Sequence, residues 1–209
     1  MIKFNQCSFI SHKQLLHKLG VVVLVTVLAS CASPNKDRFY QLTYANQDRT
    51  SGDAKYDVIF DTVTIPDGIS RPQLVVQKSP TESQILDEQR WVAPLDEQIR
   101  QAFLANLQAQ LPEAWLAQRA DPHATVPRYF VHTEIQQLQI IPGQDVAVDM
   151  IWIIYDSDKK PLRRQHLRRS LALNGADYGG IAPAISTVLR SMSENMAKDI
   201  SEAAQQHPK

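Results

Sequence analysis

The residues with chemistry to offer are one thiol and one run of bases. Cys31 follows Leu28-Ala29-Ser30 at the end of an apolar stretch, and a thiol at a membrane surface is the nucleophile that acyl modification needs. Between Lys159 and Arg169 stand six bases (Lys159, Lys160, Arg163, Arg164, Arg168, Arg169) with His166 and no acid. Such a run can dock anionic lipid headgroups or an acidic protein surface. It can equally be a solvated strand whose charge blocks edge-to-edge pairing. Strand alternation would put Arg164, His166 and Arg168 on one face, opposite Leu167. Arg71 precedes Pro72, which holds it extended, so it suits a salt bridge within the fold or an exposed contact.

Catalytic and metal chemistry find little to work with. The sequence has no Gly-x-Ser-x-Gly elbow, no Gly-rich phosphate loop and no His-Glu-x-x-His. His123, His132, His166 and His207 are not at metal-ligand spacing. Asp156-x-Asp158 lacks the Gly and distal Glu of a calcium loop and reads as a hairpin turn. Asp145 and Asp149 lie two pleats apart on one strand, with no acid–base partner evident for either. We expect no enzyme, no cofactor and no metal.

Composition bounds the rest. The 209 residues carry 22 Lys+Arg and 22 Asp+Glu, and a neutral chain lacks the basic surface that binds nucleic acid. Two cysteines cannot make a disulfide scaffold or a four-thiolate zinc site. The first 30 residues contain Lys3, Lys13 and Lys18 and no acid, so removing them leaves 19 bases against 22 acids, a formal charge of −3.

That N-terminal stretch reads as an export signal. A positive segment to Lys18 precedes an apolar run of ten residues, Leu19 to Leu28. This is shorter than the roughly 20 residues a membrane-spanning helix needs. Small residues before the cut are typical of signal cleavage. Leu28-Ala29-Ser30-Cys31 resembles the bacterial lipobox. The resemblance implies diacylglycerol on the Cys31 sulfur, removal of residues 1–30, and acylation (palmitate or similar) of the new amino group. One acyl chain binds a membrane marginally, whereas three make a durable anchor. Cys7 would leave with the signal, so the mature chain would have no free thiol. Ala32 and Ser33 stand where an Asp usually retains a Gram-negative lipoprotein in the inner membrane. The expected location is therefore the outer membrane, lipid-anchored on its periplasmic side. Residues 31–37 form the acylated tether, and the six from Ala32 to Asp37 reach roughly 20 Å.

Residues 38–209 read as a single α/β domain of mixed α+β type, with a mostly antiparallel mixed sheet and two main packed helices. Strands are expected at Phe39–Leu42, Tyr56–Ile65, Leu74–Val76 and Gln84–Leu86, and a loop at Asn46–Lys55. Pro94 opens a helix whose stripe is Leu95, Ile99, Phe103, Leu107 and Leu111, and Pro112 closes it. Glu113–Arg119 reads as a further helical turn or two. Tyr129–Ile141 changes phase at Gln136-Gln137, the mark of a β-bulge. Val146–Tyr155 is the most apolar strand and belongs centrally, followed by Arg163–Leu173 with Leu167, Leu171 and Leu173 inward. Ile181, Ile185, Val188, Met192, Met196 and Ile200 line a long final helix.

Several segments resemble the PqiC family (paraquat-inducible protein C, the ABC-type transport auxiliary lipoproteins). Besides the lipobox they are Phe39-Tyr40-Gln41-Leu42, the run from Val63 to Val75 with Pro66-Asp67 and Arg71-Pro72-Gln73, and Arg90-Trp91-Val92-Ala93-Pro94-Leu95. The chain departs from the family pattern at Gly68, Ser70 and Ala93. The resemblance implies an outer-membrane subunit of an MCE-type intermembrane lipid transport system. Its implied partner is a PqiB-like, periplasm-spanning protein with MCE domains, and it allows a homo-oligomer. The alternative is an assembly or scaffolding lipoprotein of another envelope complex. If residue 32 sets the destination, Ala32→Asp should move the protein from outer- to inner-membrane fractions in a density gradient. An unchanged distribution would show that these positions do not sort it.

Overall fold

Two spacings in the sequence build two layers: alternating apolar residues make strands, and apolar residues three and four apart make the helices that cover them. The computed structural model describes residues 36–44, 54–123, 125–175 and 177–207. Within it Asp37–Lys209 form one unit. The signal, Cys31 and nearly all of the expected Asn46–Lys55 loop lie outside the described residues. In chain order the elements are β1 (Arg38–Tyr40), β2 (Tyr56–Thr64), β3 (Gln73–Ser79), β4 (Glu82–Trp91), α1 (Leu95–Gln110), β5 (Ala114–Ala117), β6 (Arg128–Ile141), β7 (Asp145–Tyr155), β8 (Pro161–Ala172) and α2 (Ile181–Gln206).

The architecture is the expected mixed α/β type with two main helices, and its strands divide between two sheets. A five-stranded sheet runs β5-β2-β6-β7-β8 and a three-stranded one β1-β4-β3. The pairs β1–β4, β2–β5 and β2–β6 are parallel. The longer pairs β6–β7 and β7–β8, with β3–β4, are antiparallel. β7 is internal, as its apolar sequence requires.

Both helices cover one face of the larger sheet. α1 buries Leu95, Ile99, Phe103 and Leu107, and Phe103 stacks on Phe60 of β2 with ring centroids 5.7 Å apart. α2 buries all six residues of its stripe, both methionines included. From the sheet come Val58, Phe60, Val131, Ile135, Val148, Met150, Trp152 and Ile154. A polar contact fixes α2 on this surface. The Trp152 indole N–H donates to Asp199 Oδ2 at 3.0 Å, and Arg163 Nε lies 2.8 Å from Asp199 Oδ1. Arg163 Nη1 also donates to Glu202 Oε2 at 2.5 Å. Burial pushes the Asp199 carboxyl above its ordinary 3.8, and Arg163 and Trp152 offset this only in part.

The bulge falls where the phase change places it, between Ile135 and Gln137. Two expectations need correction. Ala114–Ala117 is a strand on the edge beside β2, not a helical turn. Its alternation of buried Ala114 and Leu116 with exposed Trp115 has period two, and a parallel neighbour stabilises it. Leu171 is exposed rather than inward, because β8 is the outermost strand of its sheet. The first strand is also shorter than expected, and Leu42 is a core residue just beyond its end.

Asp199 gives a pH signature. The native state holds this proton to higher pH than the unfolded chain does, so the associated stability is present below 3.8 and lost as pH rises through the elevated value. The difference in unfolding free energy between the wild type and Asp199→Asn should therefore fall over that range. Urea titrations at stepped pH measure it, and a rising difference would contradict the assignment.

Candidate functional site

The register of β8 on β7 decides what each base in the hairpin can do. Arg163 faces Ile154 on the helix-covered side, where Asp199 and Glu202 hold it. Arg164, His166 and Arg168 face Ile153, Ile151 and Asp149 on the opposite side. His166 Nε2 lies 2.5 Å from Asp149 Oδ1, and Arg168 Nη1 lies 3.9 Å from the other carboxylate oxygen. Arg168 also donates to Gln137 Oε1 at 3.1 Å and Gln139 Oε1 at 2.8 Å. In the turn, Asp156 Oδ1 accepts the N–H of Asp158 at 2.9 Å and of Lys160 at 3.0 Å. Lys159 takes a left-handed φ of 63° and sets its ammonium 3.3 Å from the centre of the Phe130 ring.

The six bases thus divide. Arg163 fastens a helix, Arg168 shares a carboxylate with His166, and Lys159 caps an aromatic ring. Lys160, Arg164 and Arg169 are exposed and have no carboxylate partner among the described residues. Arg169, opposite Val148, lies on the helix-covered side as Arg163 does, whereas the face that Arg164 borders carries no helix. Along β7 it presents half-buried Ile151 and Ile153, with Glu134 and His132 on one side and His166 and Arg164 on the other. His132 Nδ1 lies 2.8 Å from Thr62 Oγ1 on the same face. The result is an apolar strip with a polar, partly basic rim, a form suited to docking rather than to chemistry.

Arg71 lies elsewhere. Ile69 N–H donates to Pro66 O at 3.0 Å and Arg71 N–H to Ile69 O at 2.9 Å, closing a turn ahead of β3. Trp91 N–H donates to Pro72 O at 2.7 Å and fastens that turn to β4. The Arg71 Nε is enclosed without a hydrogen-bond partner, and the side chain has no ion pair with a described residue. Arg71 precedes β3 of the smaller sheet, whereas the basic hairpin belongs to the larger one. Asp149 was missed as a partner in the sequence. Equal steps back from the Tyr155–Pro161 pair set it opposite Leu167, and only the one-residue irregularity between Ile154 and Tyr155 brings it opposite Arg168.

Among the described residues no group of three His, Cys, Asp or Glu could hold a metal. A cleft of ≈ 350 Å³ opens between Lys55, Tyr56, Glu113, Tyr129 and Ser201, at the lower end of small-ligand sizes. Its lysine and glutamate pair with each other, and burial pushes the Tyr56 and Tyr129 hydroxyls up from 10.0. No helix of the described residues is long and apolar enough to cross a membrane.

A family model, the ABC-type transport auxiliary lipoprotein component, matches residues 40–197. The chain belongs to this family. The intermembrane transport lipoprotein PqiC of Escherichia coli strain K12 is 30% identical over 100 residues, which is 46% of this chain and 54% of that protein. The same figures hold for PqiC of Shigella flexneri, so the chain spans about half the length of these curated relatives. A crystal structure of an uncharacterized protein superposes with a TM-score of 0.66 at 19% identity, over 79% of this chain and 99% of the other. A DUF330 protein from Xanthomonas campestris gives a TM-score of 0.63 at 13% identity, over 81% and 98%. These two likenesses establish the fold. The family is one of transport components, and no observation gives positive support to catalysis.

The division of the bases is testable by unfolding. Arg163→Ala should lower stability by about 2 kcal/mol, because it leaves Asp199 partly buried without its cation. Arg164→Ala should change it by less than about 0.5 kcal/mol. Equal effects in urea denaturation would contradict the register.

Proposed function

We propose that this protein is an outer-membrane lipoprotein subunit of an MCE-type intermembrane lipid transport system. An acylated Cys31 would hold the body at the membrane. The helix-free sheet face, with Lys160 and Arg164 at its edge, would dock a periplasm-spanning MCE-domain partner. The observation that carries the reading is the family match over residues 40–197, in a chain whose curated relatives are named intermembrane transport lipoproteins. The geometry is consistent with it: an apolar strip with a polar rim, and exposed bases able to steer an acidic surface.

Reversal of the two free bases beside this face tests the docking role. Lys160→Glu and Arg164→Glu together should reduce co-purification of the MCE-domain protein by about tenfold at low salt, as loss of rim charge slows association. Unfolding stability should stay close to the wild type. Undiminished co-purification would remove this face from the proposal. Capture of a β-barrel or cell-wall protein instead would favour a scaffolding role.

A further inference from the structure

We propose that Phe39 and Val92, with Arg90 beside them, form the surface by which the folded body rests on phospholipid. The inference deepens the anchored-subunit reading and rests on acylation of Cys31. β1 runs parallel to β4, with Phe39 opposite Arg90 and Tyr40 opposite Trp91. The Val92 N–H donates to the Tyr40 carbonyl at 2.9 Å and extends the pairing by a residue. Alternation turns Trp91 into the core and leaves Phe39 and Val92 outward, 61% and 55% exposed. They are the two most exposed large apolar side chains among the described residues. Membership of the same small sheet makes them one patch rather than scattered surface residues.

The covalent chain says what covers this patch. Seven residue steps separate Cys31 from Arg38, a reach of roughly 24 Å when fully extended. A folded unit of this length is about 40 Å across, so the tether keeps β1 out of the half of the body far from the bilayer. The tether also ends on a fixed point. Leu42 is 1% exposed, its N–H donates to Gln98 Oε1 of α1 at 3.0 Å, and the Thr43 N–H donates to Ser186 Oγ of α2 at 2.9 Å. The chain leaving β1 is thus tied to both helices, so the place where the tether joins the body is fixed within the fold.

Charge at the patch suits the same occupant. Arg38 lies 3.6 Å from Asp177, and Arg90 lies 3.6 Å from Asp37. Such long, exposed pairs hold weakly, so the Arg90 guanidinium, on the face of Phe39, can exchange its carboxylate for a lipid phosphate. Phe39 and Val92 would enter the interfacial region beside this cation, as apolar side chains do in membrane-surface contacts.

The test uses the acylated full chain in vesicles of phosphatidylethanolamine and phosphatidylglycerol. With Cys7 removed and Cys31 acylated, Phe39→Cys, Val92→Cys and Arg164→Cys each supply a single thiol for an environment-sensitive dye. The expected result is a blue shift, with quenching by lipids brominated near the headgroup, at positions 39 and 92 but not at 164. Equal water exposure at all three, in protein that floats with the vesicles, overturns the proposal while leaving the anchor intact. Failure to float removes the anchor and the proposal with it. A blue shift in native envelopes but not in vesicles would assign the patch to a protein and overturn the lipid contact.

Discussion

Helix packing on only one face of the larger sheet is the constraint on which the other features depend. Two helices bury Phe60, Ile135, Met150, Trp152 and Ile154 from a single side, so every residue out of phase with these must face the other way. Ile151, Ile153, Glu134, Asp149 and the outward bases of β8 are placed by that alternation alone. The one-residue bulge before Gln137 matters for the same reason. It restores Leu138 and Ile140 to the helix side, where an unbroken strand would have exposed them. The Trp152–Asp199–Arg163 contact then locks α2 over the covered face.

Most of this was legible from residue spacing, because the helices and long strands are strongly periodic. The α2 stripe, the α1 stripe and the β6 bulge could be read directly from the chain. What resisted was short or tertiary in origin. Four residues at Ala114–Ala117 carry too little pattern to outweigh the helix preference of alanine and leucine, and only pairing with β2 makes them a strand. The separation of β1, β3 and β4 into a second sheet has no local signature either. For the basic hairpin, face and charge were readable, but the share taken by Asp149, Asp199 and Glu202 depended on register and on a helix distant in sequence. Cys31 lies outside the described residues, so its role rests on sequence alone.

The proposed role brings these features into one arrangement. A short tether would hold β1 near lipid, and the bonds of Leu42 and Thr43 fix where the tether joins the body. The helix-free face of the larger sheet would remain available for a protein partner. Lipid and partner would then meet different sheets of one rigid body. This division suits a component that positions a conduit rather than carrying out a reaction.

The central claim is that residue 31 is the membrane anchor, and the intact mass of the native protein from membrane fractions tests it most directly. The account predicts a chain that starts at Cys31 and carries a diacylglycerol and one further acyl group. An unmodified sulfur, in a chain released from membranes by salt alone, would contradict it.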